Sequence, residues 1–484
     1  MRKTKYYTSG FLIVFLMLYI HSIYQLDLTL TYNFDLNLNA DNNTESWSRV
    51  IKPGPQLYSY TMQLIDNHTY IIGTIGEYYT SDDIYIAKFN SSGVKLWEQT
   101  WGGPEYDHIK GYIVDSENNI YIAGINSTNF VGSLGSIFLL KYNITGNLLW
   151  SKTIDPFGSN RYEIHSIQTG LNDSIYISST MDNYTNSKTF ITKLNSSGNI
   201  LWTQEIELGY DPYRLITRID SVGNIYLYGQ NFNINLFLLK LNSSGSRLWD
   251  FVWGEREYGF HMKLDLDDNI IVTGKSYDSG FSEVWIMKIN NSGNLTKKIV
   301  CASYGEWSSP KTEVWFLDNI FILIGSSLFE YNYSLNSKWN FTFGIHIQIS
   351  DSGGFNFGIT SQNEKYVVYS TVGDITILIF NSLGVIISNF KWGGSYYVYP
   401  PKVRIDSQDN LYMLCPISYV NIWNERIRLT ILVKNPKSGG KPQLDQIIDD
   451  RDITIFSLLG VMSFISIILV YNTLKPKFRK LIEK

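Results

Sequence analysis

Side chains able to do chemistry are plentiful in this 484-residue sequence, but their spacing is poor for catalysis. Its six histidines, His21, His68, His108, His165, His261 and His346, form no His-Glu-x-x-His pair or other short metal spacing, and no Gly-x-Ser-x-Gly elbow occurs. His108, His165 and His261 stand at similar places in three segments and would form a site only if the fold gathered them. Asp265-Leu-Asp267-Asp268-Asn269 sets oxygen ligands at alternate positions, as a calcium loop does. It lacks the glycine and the distal glutamate of such a loop, so Asx residues capping a tight turn account for it better. No catalytic residue, metal ligand or cofactor is assigned.

A recurring mixture of tyrosines and charges is more informative. It comprises Tyr106-Asp107-His108, Arg161-Tyr162-Glu163, Tyr210-Asp211, Glu255-Arg256 with Tyr258, and Tyr396-Tyr397. Tyrosine supplies contact area and a hydroxyl at low entropic cost, so a ring of such groups can grip a glycan or a protein loop. The competing reading is that these residues only shape a turn and begin a strand.

Those clusters sit between repeated elements. A turn recurs as Asn90-Ser-Ser-Gly93, Asn143-Ile-Thr-Gly146, Asn195-Ser-Ser-Gly198, Asn242-Ser-Ser-Gly245 and Asn290-Asn-Ser-Gly293, with looser copies ending at Leu335, Gly384 and Gly439. Its last residue returns every 42 to 55 positions, the length of one four-stranded sheet. A second marker is an Asx-rich turn leading into an alternating strand, as in Asp115-Ser-Glu-Asn-Asn119-Ile-Tyr-Ile-Ala-Gly124. The two markers define eight A-B-C-D meanders. One such sheet cannot cover both of its faces, so the units must stack radially. The expected fold is all-β, an eight-bladed β-propeller over residues 45–440, with seven blades as the alternative.

Trp97, Trp150, Trp202, Trp249 and Trp339 follow the turn at one offset and are expected on D strands, docking against the neighbouring blade. Fully buried, each would cost about 3–5 kcal/mol on truncation. Lys297 and Ser388 replace the tryptophan in the fifth and seventh units, whose interfaces are expected to be weaker. The eighth unit has no D strand of its own. Trp47-Ser-Arg-Val-Ile51-Lys-Pro-Gly54 resembles the second unit's D strand, Trp150-Ser-Lys-Thr-Ile154-Asp-Pro-Phe-Gly158, so the N-terminal strand is expected to complete the last blade.

Both ends carry further signals. Residues 1–25 have a basic start and an apolar stretch from Phe11 to Ile20, which suits a signal peptide or an uncleaved signal anchor. A polar linker covers 26–44 and an acidic stalk 441–452. Residues 453–474 are long and apolar enough to cross a bilayer as a helix, and the basic tail 475–484 places the C-terminus in the cytoplasm. The propeller is then extracytoplasmic, and the Asn-x-Ser/Thr sequons between Asn42 and Asn340 fall on that side as candidate glycosylation sites. A net charge of -4 offers no basic field for nucleic acid. Aromatics at 15% fit strands and turns.

The block Asp83-Ile-Tyr-Ile-Ala-Lys-Phe-Asn-Ser-Ser-Gly-Val-Lys-Leu-Trp97, with Trp101-Gly-Gly103 and Asp107, resembles the SBBP-type β-propeller repeat of microbial surface and secreted proteins. The turn-plus-Trp element is similar to the docking motif of quinoprotein-like propellers, commonly eight-bladed. Neither resemblance fixes a function. The first expectation is a membrane-anchored extracellular binding, adhesion or scaffold module for an unknown protein or glycan, more a binder than an enzyme. The alternative is a membrane-tethered propeller enzyme, quinoprotein-like or carbohydrate-active. A quinone enzyme would be expected to carry adjacent cysteines, and Cys301 and Cys415 are remote.

Overall fold

The computed structural model describes residues 47–51, 56–76, 82–127, 135–155, 161–182, 187–207, 212–231, 235–254, 257–278, 281–305, 312–316, 319–324, 327–342, 355–370, 374–393, 397–398, 401–420 and 426–435. The signal, linker, stalk, membrane segment and tail inferred above lie outside them. Among the described residues no helix is long and apolar enough to cross a membrane.

The described chain is all-β and falls into eight antiparallel meanders. In the first, strands Gln56–Ile65, His68–Gly76, Asp83–Phe89 and Lys95–Trp101 pair in chain order as A, B, C and D. The next six A strands are Tyr106–Val114, Arg161–Thr169, Pro212–Ile219, Glu257–Leu264, Thr312–Phe316 and Phe355–Ile359. The second and third units are also joined by a single parallel pairing of Arg161 with Gly135.

Sequence dictates which strand is central. The B strand of the first unit, HTYIIGTIG, is buried along nearly its whole length, whereas its D strand, KLWEQTW, is exposed except at the half-buried Trp97 and Trp101. A near-continuous apolar run is stable only where both faces are covered, so B and C lie between neighbouring units and D forms the outer edge. A strands of successive units touch from the second to the sixth, and again from the seventh through the eighth to the first. They form the inner layer. In each of the first five units the A–B ladder carries a register shift, near Thr61, Lys110, His165, Tyr213 and Phe260, which re-aims side chains close to the axis.

Apolar clusters bridge the units in order. Ile72 meets Ile122 and Phe138, Tyr121 meets Ile164, Ile191 meets Leu227, Tyr228 meets Trp285, Ile271 meets Ile322, and Phe321 meets Phe357 at a ring separation of 4.4 Å. Between the seventh and eighth units the Asn356 amide donates to the Pro401 carbonyl, and the Ser361 hydroxyl to Asp409 at 2.6 Å.

The eighth unit closes as the sequence suggested. Its B and C strands are Leu411–Val420 and Arg426–Asn435, and its D strand is Trp47–Val50, in the register Trp47↔Lys434 to Val50↔Ile431. The Ile51 amide adds a bond to the Thr430 carbonyl at 2.9 Å. Ile51 then packs with Leu57, Met62 and Ile71 of the first unit and Leu414 and Leu432 of the eighth. The result is a propeller-like ring of eight units, so the seven-unit count is set aside. The eighth A strand departs from the pattern, being split into Tyr397–Val398 and Lys402–Ile405. Pro400 and Pro401 fall between the pieces and cannot donate to the ladder.

The docking tryptophans lie on D strands as expected, but they are half-buried rather than buried, which puts their truncation cost below the range for a fully buried indole. Each indole covers the turn glycine of the next unit. Gly146, at φ 85°, has Trp97 so close that a Cβ would lie 2.6 Å from its ring, so glycine is required there twice over. Trp150, Trp202, Trp249 and Trp339 meet Gly198, Gly245, Gly293 and Gly384 in the same way. The side chain of Trp47 is outside the described residues. The fifth interface is not left bare by its missing tryptophan, because Lys297 Nζ donates to the Ser334 carbonyl at 2.9 Å and to Asn336 Oδ1 at 3.0 Å.

Candidate functional site

The tyrosine and charge clusters begin successive A strands, at one end of the inner layer. Within each cluster strand alternation separates the residues. Tyr162 turns inward and its hydroxyl donates to Asp155 Oδ1 at 2.9 Å, while Arg161 and Glu163 on either side are exposed. Asp107 is fully buried and accepts from Asn126 Nδ2 at 3.0 Å and the Gly103 amide at 3.2 Å. Tyr106 and His108 flank it half-buried, their rings stacked at 6.2 Å. Tyr258 is half-buried beneath the Lys275 ammonium, which lies 5.2 Å from its ring centre. Tyr397 enters the split strand through its backbone pairing with Ser418, and its side chain is not among the described ones. Tyr210, Asp211, Glu255, Arg256 and Tyr396 lie outside the described residues. Asp107 and Tyr162 therefore hold the frame together, and Tyr106, His108, Arg161, Glu163 and Tyr258 form the accessible part of the surface.

Burial dominates the Asp107 carboxyl and pushes its pKa up to about 6, with the two hydrogen bonds opposing the rise. A folded value above the unfolded one means that the group's stabilising contribution is full below the ordinary carboxylate range and is lost as pH rises through about 6. Asp107→Asn should therefore lag the wild type most in melting temperature near pH 4, and the gap should narrow by pH 7. Parallel melting curves across that window check the sign.

His108 and His165 are each engaged by a neighbour of their own. His108 Nδ1 lies 3.6 Å from Asp82 Oδ2, and His165 Nε2 is 3.1 Å from Thr180 Oγ1; burial lowers both imidazole pKa values. Among the described residues no three His, Cys, Asp or Glu side chains are placed to hold a metal. Asp265 is spent on its own turn, accepting from the Asp267 and Asn269 amides, and Lys288 Nζ reaches it at 2.6 Å. Burial opposes its ionisation, but these bonds outweigh it and hold the carboxyl below its usual range. Cys301 and Cys415 are free thiols; burial pushes Cys301 up to about 12 and raises Cys415 as well, which makes both poor nucleophiles.

Sequence reasoning missed the lysine two positions before the turn asparagine in the first five units. A C–D register shift sets Lys88, Lys141, Lys193 and Lys240 opposite Trp97, Trp150, Trp202 and Trp249. Each ammonium lies 4.7–5.1 Å from the centre of a B-strand tyrosine ring, Tyr70, Tyr121, Tyr176 or Tyr226. Each also donates to a turn carbonyl of the following unit, Ile144, Ser196, Ser243 or Asn291, at 3.0–3.4 Å. The signal was present as Lys-x-Asn, and it marks structural pins rather than a ligand surface.

No protein-family model matches the chain, the SBBP repeat included, and no curated protein matches it in sequence. Among solved structures it is similar to the WD40 domain of SCAP from fission yeast, with 8% identity over 81% of this chain and 98% of that one and a TM-score of 0.44. It is also similar to BBS1N in complex with ARL6DN (11% identity, 69% of this chain and 92% of that one, TM-score 0.38). A third is a protein of unknown function from Bacteroides caccae (11%, 67% and 93%, TM-score 0.35). At such scores the propeller-like layout rests on the chain's own strand pairing and closure, not on these likenesses.

Proposed function

We propose that this chain is an eight-bladed β-propeller of SBBP-repeat type, held outside the cell by the segment 453–474, that binds proteins or glycans without catalysing a reaction. The observation that carries the reading is the end of the inner layer where the A strands begin. There Tyr106, His108, Arg161, Glu163 and Tyr258 stand accessible on a frame whose buried neighbours Asp107 and Tyr162 are locked by hydrogen bonds. A preorganised surface of aromatic and charged groups loses little entropy on binding.

The full-length chain in detergent, applied to a glycan array and to a panel of extracellular matrix proteins, should show selective retention. The triple variant Arg161→Ala, Glu163→Ala, Tyr258→Ala should weaken it about tenfold or more with an unchanged melting temperature. Retention by the variant equal to that of the wild type rejects this surface. In intact cells a tag after Lys484 should react with antibody only after permeabilisation.

A further inference from the structure

At the far end of the A strands, where each turns into its B strand, the charge balance of the inner layer inverts. Strand register defines one layer of equivalent residues: Gln63, Gln168, Arg218, Lys263 and Arg404 face Tyr70, Tyr176, Tyr226, Ile271 and Tyr412. The remaining three positions are Ile113, Trp315 and Gly358. This layer thus holds three cations and no carboxylate, in a chain that has more acids than bases, 44 against 40.

Three consecutive members, Gln168, Arg218 and Lys263, together with Thr169, Ile219 and Leu264, line a wide-mouthed, open cavity of about 460 Å³. That volume lies within the usual small-molecule range of about 300–1,000 Å³. Arg218 is half-buried, and its one hydrogen bond among the described residues runs from Nη1 to the Thr217 carbonyl at 2.8 Å. A guanidinium has five N–H donors, so most of its capacity is unspent. Among the described residues no carboxylate pairs with Arg218 or with Lys263, whereas the frame lysines Lys141, Lys240 and Lys288 of the second, fourth and fifth units each have an aspartate. Burial lowers the Arg218 pKa with no acid to offset it. A desolvated, uncompensated cation is costly, and an anion in the cavity would relieve that cost.

We propose that this cavity binds a small organic oxyanion, a carboxylate or phosphate ester of monosaccharide size, with Arg218 and Lys263 as charge partners; the Gln168 amide, which already donates to Ser166 Oγ at 3.2 Å and to the Ile167 carbonyl at 2.7 Å, only lines the wall. It lies at the opposite end of the A strands from the tyrosine surface and stands or falls independently of it.

The test is calorimetric titration of the full-length chain with glucuronate, glucose 6-phosphate and, as the neutral control, glucose. Binding of either acid with none of glucose supports the site, and the acid that binds tells carboxylate from phosphate. Affinity should fall with added salt. Arg218→Gln and the exposed Lys263→Gln should each weaken binding roughly tenfold or more, while Lys188→Gln, at an outer pair with Glu205, should leave it unchanged. The proposal is overturned if neither acid binds at about 10 mM, if glucose binds equally well, or if the Arg218→Gln, Lys263→Gln double variant, folded by its melting curve, binds like the wild type.

Discussion

Removing residues 45–52 should lower the unfolding free energy by about 3–5 kcal/mol, because the loss combines a buried isoleucine with an entire strand of pairing. Trp47–Val50 is the D strand of the eighth unit, and Ile51 is only 2% exposed between that unit and the first. Without it, Arg426–Asn435 becomes an open edge and the first unit loses cover over Leu57 and Met62. A synthetic peptide of residues 45–54 added to the truncated chain should restore most of the lost melting temperature by strand addition. Ile51→Ser, which keeps the backbone pairing, should recover only part of the wild-type stability. A truncated chain that melts with the wild type would show that the closure contributes nothing.

The second large effect is expected at Glu330 and Lys365, where the repeat exchanges its charges. In the first five units a C-strand lysine two positions before the turn asparagine donates into the next unit's turn. The sixth unit has Glu330 at that position. The ammonium comes instead from the seventh unit, where Lys365 occupies a place filled by Ile270 and Ile320 in its two predecessors. Lys365 Nζ lies 3.4 Å from Glu330 Oε2 and donates to the Ser382 carbonyl at 3.1 Å, and Asn319 Nδ2 donates to Glu330 Oε1 at 2.7 Å. Both side chains are essentially fully buried. Burial pulls the Lys365 pKa down, and Glu330 opposes that fall.

Lys365→Met should therefore destabilise the chain by about 3 kcal/mol, because it leaves the buried Glu330 carboxylate with only the Asn319 amide and the partly exposed Lys338 ammonium, 3.6 Å away. Glu330→Leu with Lys365→Ile removes both charges and gives the seventh unit the isoleucine of its two predecessors, so most of the loss should be recovered. Chemical denaturation of the single and double variants separates the outcomes. Equal losses in both would mean that packing volume matters there and charge does not.

The contrast between these two sites shows how far the sequence could be read. Unit count, strand order and the N-terminal closure were legible because Asn-x-x-Gly turns, Asx turns and the match of Trp47 to Trp150 are local and repeated. The lysine pins were equally repeated, but a lysine beside a polar turn reads as a solvated charge until its distance to the next unit's carbonyl is seen. The Glu330 and Lys365 exchange could not be read at all, since its halves lie in different units and each breaks the pattern alone. In the tyrosine clusters the residue types were visible and the alternation was not, so Asp107 and Tyr162 were grouped with neighbours that face the other way. The cationic layer of Arg218, Lys263 and Arg404 escaped notice because its members align only through strand register.

Apart from the Glu330 and Lys365 exchange, the indole and lysine devices all point in one rotational sense. Indole and ammonium on one sheet grasp the turn of the next, so each unit has a leading and a trailing face, and neither is self-complementary. Faces of that kind terminate only by circling back on themselves; when the circle is broken they can add further copies without limit. The short strand before Ile51 is thus also what keeps one molecule from growing into a filament with its neighbours.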